Sequence, residues 1–312
     1  MRSFIFKIIG FLAFSVIAYP VSIGLATAFV PDSWLRNAML PLAGNGHLLT
    51  RLREAERYGK VDMAFLGSSH AYRGFDTRLW EAKGMRAFNL GSSAQTPVQT
   101  EVLAETCLPL LQPRLVVFEV HPALFMSDGL ESGLDLISNR RIDIHTLRMA
   151  LRIPDARLWN TLIRSGWYQC LNDLDEIIEP ERTGKDQYVN GGFVERIDRN
   201  RKNMNEPTVG ERHLRGPQIR AFQRLCAKLR ETGMPMILIE APVTHPLNQR
   251  WSTIRPAFEH LMRSEATYVN MNGLQGLNDS AHFFSPGHLN QEGVVLLNLA
   301  LADTLRAKSL ID

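Results

Sequence analysis

Two apolar rhythms alternate along most of this chain. Short apolar runs that stop at a turn residue read as strands: "VDMAFLG" (61–67), "MRAFNLG" (85–91), "RLVVFEV" (114–120), "MPMILIEAPV" (234–243) and "ATYVNMNG" (266–273). Segments of helical period separate them: "DTRLWEAKG" (76–84), "PVQTEVLAETCLPLL" (97–111), "QIRAFQRLCAKLRETG" (218–233) and "STIRPAFEHLMRS" (252–264), with "GVVLLNLALADTLRA" (293–307) last. Strands alternating with helices predict an α/β fold with a parallel sheet covered on both faces. The rhythm lapses between about 123 and 210. Helix-like pieces there, "IDIHTLRMALRI" and "ARLWNTLIRSGWYQCLNDLDEII", precede the polar "TGKDQYVNGGF". This stretch reads as a mostly helical insertion, a cap or substrate-facing subdomain. Its aromatic residues, Trp159, Trp167, Tyr168 and Tyr188, suit packing and, as the alternative, a sugar-stacking face.

A third pattern opens the chain. Ile8 to Val30 carries no charge and is long enough to cross a bilayer. Arg2 and Lys7 precede it, which places the N-terminus in the cytoplasm and the rest outside. "ATA" at 26–28 has the form of a signal-peptidase site, but the apolar run exceeds a signal-peptide core, so an uncleaved anchor is the expectation and a removed signal the alternative. The chain divides into an anchor over 1–31, linker helices over 32–60 that include "HLLTRLREAERYG", and a domain over 61–312 containing the insertion.

Composition changes little in this picture. With 45% hydrophobic and 21% charged residues the chain is long enough for a proper core. The net charge of +3 comes without a long basic block, and "RIDRNRKN" (196–203) reads as a solvated face, so no nucleic-acid partner is expected. Three cysteines, Cys107, Cys170 and Cys226, show no metal spacing, and no metal or organic cofactor is implied.

The chemistry gathers at predicted strand ends, where open parallel sheets bind their ligands. The first strand runs into "GSSH" (67–70), the second into "NLGSSAQTP" (89–97), the third into "EVHPALF" (119–125), and the loop "NDSAHFFSPGHLNQEG" (278–293) precedes the last helix. A hydroxyl on a tight strand-to-helix turn with an imidazole from a distant loop makes a serine nucleophile. Each piece alone is an ordinary turn or cap; the order is what carries information. "GSSHA" also nearly fits the G-x-S-x-G elbow of α/β-hydrolases, but that fold usually sets its nucleophile after several strands and Ser69 follows the first.

That order resembles the SGNH (GDSL-type) hydrolase superfamily, from about Val61 to Ala307. The resemblance implies a three-layer, flavodoxin-like sandwich. It makes Ser69 the nucleophile, with Ser68 where the family has Asp. It makes Gly91 in "NLGSS" an oxyanion donor and His288 in "SPGHLN" the base. Two positions depart from the family. "FEVHPALF" lacks the Asn of the third block and looks like the membrane-anchored relatives that assist teichoic-acid D-alanylation and exopolysaccharide O-acetylation. Ser285 stands where the triad Asp belongs, leaving either an Asp279-assisted triad or a Ser69–His288 dyad. His282, in "DSAH", is the alternative base. His70 and His121 are candidate substrate contacts with packing as the equal alternative, and His245 reads as a loop residue. The resemblance implies an esterase or O-acyltransferase outside the bacterial cytoplasmic membrane. Its substrate would be an acylated envelope glycan, with a membrane-bound O-acyltransferase as working partner. The alternative is a degenerate domain that binds glycan or scaffolds such a complex.

Overall fold

The structure, a computed structural model, describes residues 2–44, 46–197 and 213–312. In chain order it runs α1 (Arg2–Phe29), α2 (Leu48–Tyr58), β1 (Met63–Leu66), α3 (Ser69–Gly74), α4 (Thr77–Glu81), β2 (Ala87–Asn89), α5 (Pro97–Leu111) and β3 (Leu115–Glu119). The insertion follows as α6 (Pro122–Met126), α7 (Leu130–Ser138), α8 (Ile144–Ala150), α9 (Ala156–Leu171), β4 (Arg182–Thr183), β5 (Asp186–Val189) and β6 (Phe193–Arg196). The chain closes with α10 (Gly216–Glu231), β7 (Met236–Glu240), α11 (His245–Gln249), α12 (Arg255–Glu265), β8 (Thr267–Asn270), β9 (Phe283–Ser285), β10 (His288–Leu289) and α13 (Gln291–Ala307). The basic stretch at 196–203 lies outside the described residues beyond Ile197.

Five strands pair in parallel in the order β2-β1-β3-β7-β8. This is the doubly wound order with its switch point between β1 and β3. Strand side chains alternate between faces, so each strand feeds two cores. Ala64, Leu66, Val116, Phe118 and Leu238 meet α2, α5, α10 and α12 on one side. Met63, Phe65, Val117, Ile237 and Ile239 meet α3, α4 and α13 on the other. The three-layer expectation therefore holds. The buried Trp80 indole donates to Asn298 Oδ1 at 2.8 Å, and Asn298 Nδ2 donates to the Gly74 carbonyl at 2.7 Å, tying α13 to the end of α3.

Helix starts follow local chemistry. At α5, Thr96 and Gln99 form a capping box with Pro97 at the first position. Within the segment expected to hold linker helices, α2 buries Leu48, Leu52 and Ala55 in the first core. Cys107 and Cys226 are buried free thiols and Cys170 is an exposed one.

The insertion is helical through Leu171 and then forms an antiparallel sheet, β4-β5-β6, which the sequence reading passed over. Its signal was "VNGGF": Gly191 and Gly192 carry φ of 87° and 88° in the β5–β6 turn. That turn docks on the outer edge of β2, where Asn89 N–H donates to the Gly191 carbonyl at 2.7 Å and Arg51 Nε donates to the Gly192 carbonyl at 2.9 Å. A Cβ at Gly192 would sit 2.2 Å from the Asn89 carbonyl oxygen, whereas one at Gly184 (φ 62°) meets open space. Gly184→Ala should therefore cost only the left-handed backbone penalty, about 1 kcal/mol. Gly192→Ala should cost at least about 3 kcal/mol by adding a backbone collision. Urea midpoints of the two variants check this, and equal losses would contradict the docking.

Candidate active site

The turn after β1 is built around close approach. Gly67 has φ 139°, and a Cβ there would stand 2.6 Å from Glu119 Oε2 and 2.7 Å from Glu119 Cβ. Ser68 caps α3: its Oγ accepts the His70 N–H at 3.2 Å. Ser69 is the first residue of α3, half-buried, and its N–H has no acceptor among the described residues.

The histidine arrives from the other end of the chain. β9 and β10 form a tight antiparallel pair across Pro286 and Gly287, which sets Ser285 opposite His288. His288 Nε2 lies 2.8 Å from Ser69 Oγ, and His288 Nδ1 lies 2.9 Å from Ser285 Oγ. When Nε2 accepts the Ser69 hydroxyl proton, Nδ1–H donates to Ser285. Burial, followed by the neighbouring His70 and Arg73, holds His288 well below the ordinary imidazole range. It is therefore neutral and able to accept a proton at neutral pH.

Asp279 is elsewhere: its Oδ2 takes the His245 backbone N–H at 2.9 Å, at the start of α11, and Ser285 alone meets His288 Nδ1. Of the two expected arrangements, an Asp279-assisted triad and a Ser69–His288 dyad, the geometry sets Asp279 apart from His288 and leaves Ser285 at Nδ1. His282 is likewise spent locally, with Asn278 N–H donating to its Nδ1 at 2.9 Å. His245 Nε2 meets Gln249.

Gly91 also departs from expectation. Its N–H donates to Asn89 Oδ1 at 3.1 Å, because the buried Asn89 must satisfy an amide whose Nδ2 already donates to the Ala71 and Phe75 carbonyls. Gly91 is required for packing instead: a Cβ there would lie 2.8 Å from the Ser68 carbonyl oxygen and 2.9 Å from the Tyr72 nitrogen. With the Gly91 N–H engaged, the Ser69 N–H is left without an acceptor among the described residues.

His70 and His121 fall into a column of rings. His70 stacks on His121 at 4.6 Å and on His288 at 5.2 Å; Phe284 stacks on the far side of His288 at 5.6 Å. Trp251 meets His121 edge-on. His121 is buried, its Nδ1 accepting the Ala123 N–H at the start of α6, so it supports His70 from behind. Burial pushes His70 down to about 4 and His121 well below its ordinary value. Arg73 and Arg196, both bonded to Asp186, cover the outer face of Phe284 and bring the β5–β6 hairpin to the site.

Glu119 was not singled out by sequence, yet it is the most perturbed carboxyl beside the nucleophile. It is fully buried, and its Oε2 accepts both the Ser68 N–H and the Ser68 O–H at 2.9 Å. Burial raises its pKa to about 7 against the pull of those two bonds. The signal available was a glutamate closing the apolar run "RLVVFEV", where a buried strand should hold no charge.

Sheet order, turn and histidine loop together define a doubly wound α/β fold with a serine and a histidine side by side at the carboxyl edge of the sheet. No family model matches the chain, and no curated protein matches it. Solved structures that it is similar to include a GDSL-like lipase from Bacteroides thetaiotaomicron, at 10% identity over 84% of this chain and 99% of that one, TM-score 0.42. A catalytic mutant of an acetylxylan esterase from Geobacillus stearothermophilus aligns at 12% identity over 80% of this chain and 94% of that one, TM-score 0.38. A two-domain esterase active on acetylated mannans aligns at 12% identity over 87% of this chain and 56% of that one, TM-score 0.34. Likeness this loose assigns no residue a role.

The Glu119 environment sets a pH dependence of stability. The folded protein keeps the Glu119 proton to about pH 7, while the unfolded chain releases it near the ordinary carboxylate value. Between those values the folded state binds the extra proton, so this group's contribution to stability falls as pH rises through the window. Glu119→Gln removes the titration. The melting temperature of the variant relative to wild type should therefore climb from pH 5 to pH 8; a constant difference would show that Glu119 ionises normally.

Proposed function

We propose that this chain is a membrane-anchored serine esterase or O-acyltransferase. The observation that carries the reading is the 2.8 Å contact from Ser69 Oγ to His288 Nε2, with Nδ1 held by Ser285. Ser69 Oγ attacks the acyl carbon of an ester while His288 takes the hydroxyl proton. The developing oxyanion meets the Ser69 N–H at the start of α3. His288 returns the proton to the departing alkoxide, leaving an acyl-serine. Water or an acceptor hydroxyl, deprotonated by His288, then releases the acyl group. With no carboxylate at Nδ1 the imidazolium lacks its usual counter-charge, so turnover is slow.

The resemblance to the anchored branch supports an acylated cell-envelope glycan as substrate and a membrane-bound O-acyltransferase as partner. α1 is long and apolar enough to span a membrane. Its C-terminal half packs on α9: Trp167 Nε1 donates to the Pro20 carbonyl at 2.9 Å, Tyr19 O–H donates to Asn160 Oδ1 at 2.6 Å, and the Trp167 ring closes on Gly24. Cleavage after Ala28 would strip these contacts from the domain, which supports an uncleaved anchor, and Arg2 and Lys7 ahead of the apolar run support a domain outside the cytoplasm. A second reading, a domain that binds glycan or scaffolds an acylation complex without chemistry, is favoured by the engagement of the Gly91 N–H by Asn89 and the serine in the triad-acid position.

Three outcomes separate these readings. A fluorophosphonate probe should label the wild-type chain but not Ser69→Ala, and Ser69→Ala should lose hydrolysis of p-nitrophenyl acetate; equal activity would leave the scaffold reading standing. Ser285→Asp should raise kcat by about tenfold or more by supplying the counter-charge, a gain of about 1.4 kcal/mol in the barrier. An unchanged kcat would mean that orientation of His288 already suffices. Alkaline phosphatase fused after Asp312 should be active, and the first residues should persist in the mature chain; a new N-terminus near Phe29 would refute the anchor.

A further inference from the structure

The Ser69–His288 pair leaves unused a second set of polar groups directly behind it. Glu119 Oε2 receives both Ser68 donors, and His70 Nδ1 lies 3.1 Å from the Ser68 hydroxyl. The other carboxylate oxygen, Oε1, is buried without a hydrogen-bond partner, 3.8 Å from His70 Nδ1. These atoms form one chain, Glu119–Ser68–His70. Its first member touches the turn that presents the nucleophile, and its last is stacked on the base.

We propose that Glu119 is a positioning residue of this site, fixing the nucleophile turn through Ser68 and setting, by gain or loss of its proton, which nitrogen of His70 carries hydrogen beside His288. The proposal rests on Ser69 and His288 being the reacting pair.

The hydrogen count permits two arrangements. With Glu119 ionised, Ser68 Oγ–H donates to Oε2, so Ser68 Oγ must accept from His70, whose hydrogen is then on Nδ1. With Glu119 neutral, its O–H donates to Ser68 Oγ, and the Ser68 hydroxyl hydrogen turns to His70 Nδ1. The His70 hydrogen is then on Nε2, and one proton separates the two states. In the first, two full-strength bonds to a carboxylate clamp Ser68. In the second, the clamp is weaker, and the ring dipole stacked on His288 is reversed.

The groups facing Glu119 leave it free to switch. His70 and His121 are held neutral by burial. Glu240, on the adjacent β7, is the charged neighbour that reaches Glu119, and it is already engaged by Arg255, Tyr268 and Asn272. No arginine or lysine among the described residues pairs with Glu119 to pin it in the ionised form. Gly67 gives the carboxyl its place, since any side chain there would displace it.

The test is the pH profile of kcat and kcat/KM for p-nitrophenyl acetate between pH 5 and 9, using the full chain in detergent. Wild type should gain activity through an inflection near pH 7, where Glu119 ionises. Glu119→Gln should lose that inflection and about tenfold in kcat at pH 8, with KM within about twofold. Ser68→Ala, which cuts the chain but keeps the carboxyl, should also lose the inflection. A merely structural role would lower activity evenly and leave the inflection in place. Superimposable profiles for wild type and both variants would overturn the proposal. Fluorophosphonate labelling separates the failures: a wild type that is not labelled at Ser69 refutes the esterase reading, whereas labelled proteins with unchanged profiles refute only the role of Glu119. Should Glu119→Gln not fold, the Ser68→Ala profile decides.

Discussion

The turn that presents Ser69 depends on one buried carboxyl group accepting two hydrogens from Ser68. A backbone that leaves β1 must turn sharply to present Ser69, and a turn buried against β3 must satisfy its N–H groups. Glu119 does so at the switch point of the sheet, and the missing side chain at Gly67 is what lets it come so close. The cost is a carboxyl removed from water without a cation, which natural proteins tolerate chiefly where function requires it.

The histidine side follows a different logic. A triad acid normally fixes the base and answers its charge; here Ser285 fixes it and answers nothing. Aromatic and imidazole rings on both faces hold the ring orientation by packing instead. Orientation and charge compensation, which one aspartate usually supplies together, are thus divided. The first is met by a two-residue hairpin and a ring stack, while the second has no close counterpart among the described residues.

Much of this was legible in the sequence because period and punctuation are local properties. The five strands and α5 from Pro97 to Leu111 came from runs and caps, and the approach of Ser69 and His288 from the family resemblance that their order carries. What stayed hidden depends on distant partners. Gly91 read as a donor, but only the fold shows Asn89 turning back to claim its N–H. Asp279 was the nearest acid on the loop before His288, and only the β9–β10 register shows that Ser285 reaches His288 while Asp279 faces α11. Glu119 was visible as a charge in an apolar run, yet its meaning required knowing that β3 lies beside β1. The β5–β6 hairpin was announced by "VNGGF" and obscured by the polar residues around it.

The packing of α1 on α9 bears on mechanics. A flexible tether would let a domain roll and sample any substrate within its reach. With Trp167 seated on Gly24 and Tyr19 bonded to Asn160, the apolar helix is a strut continuous with the body. Under the proposed anchoring in a bilayer, such a strut fixes both the height of Ser69 above the lipid and the direction in which Ser69 faces. Under that proposal the chain selects substrates by where their esters lie along the membrane normal, before any contact with Ser69 itself.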